Sequence, residues 1–171
     1  MSAKLEQLNR AAREAAEADF TNCCGSKTWA RMMTEARPFA DIDAVLNRAE
    51  QIWLNLESDD WLEAFAAHPK IGAKKAVSQQ SAQAAEWSNA EQSGTQTAAD
   101  SLRDELEKAN RLYEEKFGFI FIVCATGKTA EEMLDLCRRR VRNDADSEIR
   151  IAADEQRKIT EIRLKKLLEI E

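Results

Sequence analysis

Histidine occurs once in 171 residues, proline twice and glycine five times, and each scarcity excludes something. So few turn formers among abundant Ala, Glu, Leu, Lys and Arg predict a mostly helical chain rather than a many-stranded one. One histidine and four cysteines, Cys23, Cys24, Cys124 and Cys137, without CxxC spacing, do not make a zinc ligand set, so no structural metal is expected. A clustered basic tract is missing, and the net charge of −6 argues against nucleic acid or an acidic membrane surface as the main partner. No apolar run approaches the roughly 18 residues of a membrane span. The amino terminus, Met1-Ser2-Ala3-Lys4-Leu5-Glu6, lacks the hydrophobic core of a signal peptide, and the last residues are not a Ser-Lys-Leu peroxisomal address. The expectation is a soluble cytoplasmic protein with reduced thiols.

What is present suits helix-on-helix packing. With 44% hydrophobic residues, 171 residues fit one domain, 1–171, an all-α bundle of roughly seven to nine helices. Leu5, Leu8, Ala11, Ala12 and Ala15 predict a first helix running to about Ala18, followed by a turn from Phe20 to Gly25. Ser26 and Asp41 stand as N-caps of the next two helices, and Ser58 opens a fourth. Trp29, Trp53 and Trp61 read as core aromatics. A long helix is expected from about Thr97 to Lys116, with Leu102, Leu106, Ala109 and Tyr113 inward and Gly118 ending it. The run Phe119-Ile120-Phe121-Ile122-Val123-Cys124 has strand propensity but no evident partner, and reads as a buried extended segment or helix entry. Residues 73–85, rich in Ala, Ser and Gln, read as a mobile or weakly helical connection.

Several motifs invite chemistry. Ala66-Ala67-His68-Pro69-Lys70-Ile71-Gly72 places the single histidine at a helix end, because Pro69 disfavours the helical conformation at His68 and Gly72 permits a turn. His68 is either a dipole-favouring cap or a proton carrier at neutral pH. Ser88 and Glu91 have capping-box spacing. Gly127-Lys128-Thr129 lacks the earlier glycine of a P-loop, whose place Ile122 holds, and with Glu132 Thr129 forms another capping box. Arg138, Arg139, Arg140 and Arg142 read as a solvated helix end. The last helix, from Asp144, carries Ile149, Ala152, Ile159, Ile162, Leu164, Leu167 and Leu168 inward, and Arg163 among them is a snorkelling flank or a ligand hook.

Together these segments resemble a known family. Phe20-Thr21-Asn22-Cys23-Cys24-Gly25-Ser26, Arg37-Pro38-Phe39, the His68 motif, Trp87-Ser88 with Glu91-Gln92, the run from Phe119 to Lys128 and Ile162-Arg163-Leu164 resemble 2-oxo-4-hydroxy-4-carboxy-5-ureidoimidazoline (OHCU) decarboxylases across nearly the whole chain. The resemblance implies an all-helical fold, no cofactor, and conversion of a small ureidoimidazoline to (S)-allantoin, the last step of urate degradation to allantoin. It implies catalytic roles for His68 and Glu91, and substrate contacts from Pro69, Ser88, Gln92, the backbone at Ile122 or Val123, and Arg163. Members of the family are often dimers, so a homodimer is in keeping with it. Two other classes stand beside this reading: a catalytically silent helical scaffold, and a sensor that binds allantoin or a purine without turnover.

Overall fold

Ten helices form among the described residues, with no strand. The computed structural model describes residues 2–72, 81–96 and 98–170, apart from the Gln96 side chain. The all-α expectation holds, but seven to nine helices is too few, and the reasons are local. The single first helix is two, α1 (Ala3–Arg10) and α2 (Arg13–Cys24). The break at Ala11 and Ala12 is a tertiary effect, because Arg37 donates from Nη1 to the carbonyls of Leu8 (2.7 Å) and Ala11 (2.9 Å). Asn9 also exchanges two hydrogen bonds with the Phe39 backbone. Carbonyls that would accept from the next helical turn are taken by a distant side chain. α2 then runs through the expected Phe20 to Gly25 turn and ends at Gly25, whose φ of 89° is the left-handed cap conformation glycine adopts without strain.

α3 (Lys27–Glu35) and α4 (Ile42–Leu54) start where expected, their caps Ser26 and Asp41 accepting from the Trp29 and Ala44 amides. α5 (Ser58–Ala66) follows. Next come α6 (Ala82–Glu91), the single turn α7 (Ser93–Gln96) and α8 (Asp100–Phe117). α9 (Ala130–Arg140) and α10 (Ala145–Leu167) complete the set. The connection expected over 73–85 falls outside the described residues for 73–80, while 82–85 open α6.

The chain divides into two compact units, Met1–Ala64 with Arg157–Glu171, and Phe65–Gln156. In the first, α2 packs on α3 and α3 on α4. Phe20 stacks edge-on against Trp29 (5.9 Å) and Phe39 (6.5 Å), and the Trp29 indole donates to the Ala49 carbonyl, so the ring is buried with its polar atom satisfied. Trp61 donates likewise to the Trp53 carbonyl, at 3.1 Å.

In the second unit α8 packs on α9. Its core joins Leu106, Ala109 and Tyr113 to Phe121, Val123, Ala125, Met133, Leu134 and Cys137. Residues 120–125 form neither helix nor strand, and 121–125 are buried. Their register is held by charge. Arg140 donates from Nη1 to the Ile122 carbonyl (2.7 Å), pairs with Glu148, and lies over the Phe121 ring at 4.7 Å. Arg138 and Arg139 are exposed as a helix end should be, but Arg140 is only 7% exposed, which corrects its reading as solvated. The capping box of Thr129 and Glu132 is present at the start of α9.

Candidate active site

The turn that carries His68 is pinned from several directions, all within the second unit. α5 ends two residues before it, and the His68 amide donates to the Phe65 carbonyl at 3.1 Å. Ile71 is buried, and its carbonyl accepts from Asn110 Nδ2 at 2.8 Å. Gly72 has φ of 76° and donates its amide to Gln92 Oε1 at 3.2 Å. A Cβ there would also lie 3.1 Å from Leu106 Cδ2, so glycine is required for both conformation and space. Lys70 reaches out to Glu114 at 2.5 Å. The expected helix-end placement of His68 is therefore correct, with α8 and the end of α6 fixing the turn. Pro69 stands in this turn, half-buried.

The His68 ring meets α10. Its Nε2 lies 2.6 Å from Oε1 of Gln156, a side chain with no solvent exposure. The preceding residue, Glu155, accepts from the Cys124 amide at 2.7 Å. Two consecutive residues of one helix thus hold the histidine and the buried segment 120–125.

Ser88 and Glu91 are not a capping box. Ser81 is the N-cap of α6, accepting from the Ala84 amide, and Ser88 and Glu91 lie one turn apart inside the helix. Both are buried on the face shared with Ala84, Glu91 at 7% exposure. A buried carboxylate is rare without a specific environment, which makes Glu91 a candidate for chemistry rather than for capping. Burial raises the Cys124 thiol pKa, and the Glu155 and Glu91 carboxylates add to the rise while Lys128 opposes it. Gln92 is the C-cap of α6. Its carbonyl accepts from the Thr95 amide and hydroxyl, and its side-chain oxygen holds Gly72.

Lys128 donates to the Cys124 carbonyl at 2.7 Å, an internal use for the lysine of the rejected P-loop pattern. Ile122 and Val123 are both buried, and the Ile122 carbonyl is occupied by Arg140.

Arg163 belongs to the first unit. It is 3% exposed and donates from Nη1 to the Asn22 carbonyl at 3.3 Å, so it is not a surface flank. Its charge acts on the neighbouring thiols. Burial drives Cys23 well above the usual range and Cys24 to about 12, and Arg163 opposes both shifts. The inward side of α10 was expected to include Ile149, Ile162 and Leu167, which are only half-buried, while Glu148, Gln156, Thr160 and Arg163 are buried. These four polar side chains follow the same helical period as Ala152, Ile159 and Leu164. That pattern of polar residues at core register is the signal by which Gln156 could have been found. Among the described residues no group of three His, Cys, Asp or Glu side chains is placed to hold a metal ion, and no helix is long and apolar enough to cross a membrane.

The family model of OHCU decarboxylase matches residues 9–165. The chain belongs to the OHCU decarboxylase family. Over 157 residues it is 41% identical to the uric acid degradation bifunctional protein TTL of Arabidopsis thaliana, covering 91% of this chain and 48% of that protein. It is 26% identical over 161 residues to the 2-oxo-4-hydroxy-4-carboxy-5-ureidoimidazoline decarboxylase of Haloferax volcanii, covering 94% of this chain and 93% of that one. A crystal structure of an OHCU decarboxylase in the presence of (S)-allantoin superposes with a TM-score of 0.76 at 38% identity, covering 89% of this chain and 98% of that one. The chain thus spans about half the length of the Arabidopsis relative and nearly all of the Haloferax one.

Proposed function

We propose that this chain decarboxylates 2-oxo-4-hydroxy-4-carboxy-5-ureidoimidazoline to (S)-allantoin, with His68 and Glu91 as the proton-handling pair. The observation that carries the proposal is membership of the OHCU decarboxylase family over residues 9–165, together with a buried Glu91 and a pinned His68 within one unit. The single continuous family match supports reading 1–171 as one functional domain. Its four free cysteines favour a reducing cytoplasm, and a homodimer is the proposed assembly.

The substrate contains its own electron sink. As the bond from carbon 4 to the carboxylate breaks, its electron pair forms a double bond to carbon 5, and the ring imine pair moves onto nitrogen, which takes a proton. The resulting enol loses its hydroxyl proton as carbon 4 becomes a carbonyl, and carbon 5 gains a proton. One carbon dioxide leaves and one proton is taken up in all. The protein has only to hold the ring and move protons, so no electron-accepting cofactor is needed. General acid–base assistance of this kind is worth about a hundred to ten thousandfold in rate.

In this reading Arg163 supplies a planar fork for an anionic oxygen of the substrate. Ser88, Gln92, Pro69 and the backbone at Ile122 or Val123 contact the ring and its ureido arm. Gln92 offers its NH₂ to the ligand while its oxygen stays on Gly72. A silent scaffold gains nothing from burying Glu91, which favours catalysis over that alternative.

The test generates the unstable substrate in situ from urate in heavy water. The expected result is faster appearance of (S)-allantoin carrying deuterium at carbon 5. Unchanged kinetics with tight allantoin binding would identify a sensor instead. Acceleration with racemic product from the earliest times would place protonation in bulk solvent and remove the donor role from His68 and Glu91.

A further inference from the structure

We infer that Gln156 is a positioning residue for His68, its amide oxygen accepting from Nε2–H so that Nδ1 is the ring nitrogen that takes up and releases the proton. The role in turnover rests on the decarboxylase reading; the ring geometry does not.

Three observations support it. The contact is short, 2.6 Å, and joins residues 88 positions apart. Gln156 has no solvent exposure, so water does not compete for its amide. Its position along α10 is fixed by the preceding residue, because Glu155 accepts from the Cys124 amide at 2.7 Å. A rigid neighbour that holds the ring in one orientation is what proton transfer at a fixed distance requires.

The neutrality of the partner has a consequence that a carboxylate would not share. A carboxylate against Nε2 would favour the imidazolium and hold the proton. An amide oxygen accepts from Nε2–H in both the neutral and the charged ring. Nδ1 can then gain and lose a proton while the bond to Gln156 stays intact, and the ring need not move during the cycle. The opposite arrangement, with the amide NH₂ donating to Nε2, would put the resting proton on Nδ1 and force the bond to break whenever Nε2 was protonated.

The two arrangements are separable because the chain holds one histidine, so ¹⁵N spectra of the full-length protein show one pair of imidazole nitrogens. In the wild type the neutral ring is expected to carry its proton on Nε2, as a slowly exchanging resonance. Gln156→Met removes the acceptor and that resonance should be lost to exchange with water, whereas Gln156→Glu should retain it. In turnover of the substrate made in situ, Gln156→Met should lower kcat by roughly ten- to a hundredfold with little change in KM. A wild-type proton on Nδ1, or an Nε2–H resonance unchanged in Gln156→Met, overturns the inference. The wild-type spectrum decides the assignment even if Gln156→Met fails to fold. If the spectra agree with expectation but the wild-type protein does not turn the substrate over, the decarboxylase reading fails and the positioning of His68 stands.

Discussion

Arg140 and Glu148 form a buried ion pair at 2.6 Å, and the same guanidinium holds the Ile122 carbonyl. Glu148 also accepts from the Tyr113 hydroxyl at 2.5 Å and from Asn143 Nδ2 at 2.8 Å. The pair therefore ties the buried segment 120–125 to α8 and α10. Burial, followed by the hydrogen bond to Glu148, drives the Tyr113 hydroxyl pKa far upward, so the phenol stays protonated as a donor.

Glu148→Gln keeps the shape and leaves the Arg140 charge buried without its counter-charge. Removing one partner of a buried pair costs about 3–5 kcal/mol, and urea denaturation should show a loss of that order. A loss under about 1 kcal/mol, as for an exposed pair, would mean that water reaches Arg140.

Gly94→Ala should destabilise the second unit, because a Cβ at Gly94 would lie 2.2 Å from the Lys128 carbonyl oxygen, a backbone atom that cannot swing aside. Forced backbone shifts of this kind cost about 1–3 kcal/mol. A melting temperature equal to that of wild type would refute the close approach of α7 to the Lys128 turn.

The thiols should be inert in the native state and should make the protein sensitive to alkali. Burial holds Cys24 and Cys137 at about 12 against an ordinary value of 9.0. Above pH 9 the unfolded chain loses these protons while the folded chain keeps them. Stability is therefore fully present below pH 9 and falls as pH rises toward 12. Reaction with a thiol reagent at pH 8 should be slow until denaturant is added. Rapid labelling of Cys24 or Cys137 without denaturant would contradict their burial.

His68→Gln should leave the helical circular dichroism unchanged and remove most turnover, by about a hundredfold or more, since Gln keeps a hydrogen-bonding group but carries no proton at neutral pH. A folded variant with near wild-type turnover would reduce His68 to a helix cap.

Arg163→Lys should weaken allantoin binding at least tenfold. A compact ammonium cannot reproduce two parallel hydrogen bonds, and losing one charge-assisted bond costs roughly 1.5–3 kcal/mol. Titration calorimetry giving equal affinity would confine Arg163 to its contact with the Asn22 carbonyl.

The chain's own residues were enough to determine the all-helical class, the caps at Ser26, Asp41 and Thr129, the end at Gly118, and the placement of His68 at a helix end. Each depends on neighbours within a few positions, where side-chain oxygens and glycine conformations act directly on the backbone. Tertiary structure decided the rest. Arg37 split the first helix by taking carbonyls 26 and 29 residues away, and Ser81 displaced the cap from Ser88. Arg140 and Arg163 left the surface because their charges found partners that only folding brings near. Gln156 reaches His68 across 88 residues of chain, a pairing that its place on the inward face of α10 does not specify. A buried polar group is stable only when its partner is present, and when that partner is distant in sequence, local pattern does not register the pairing.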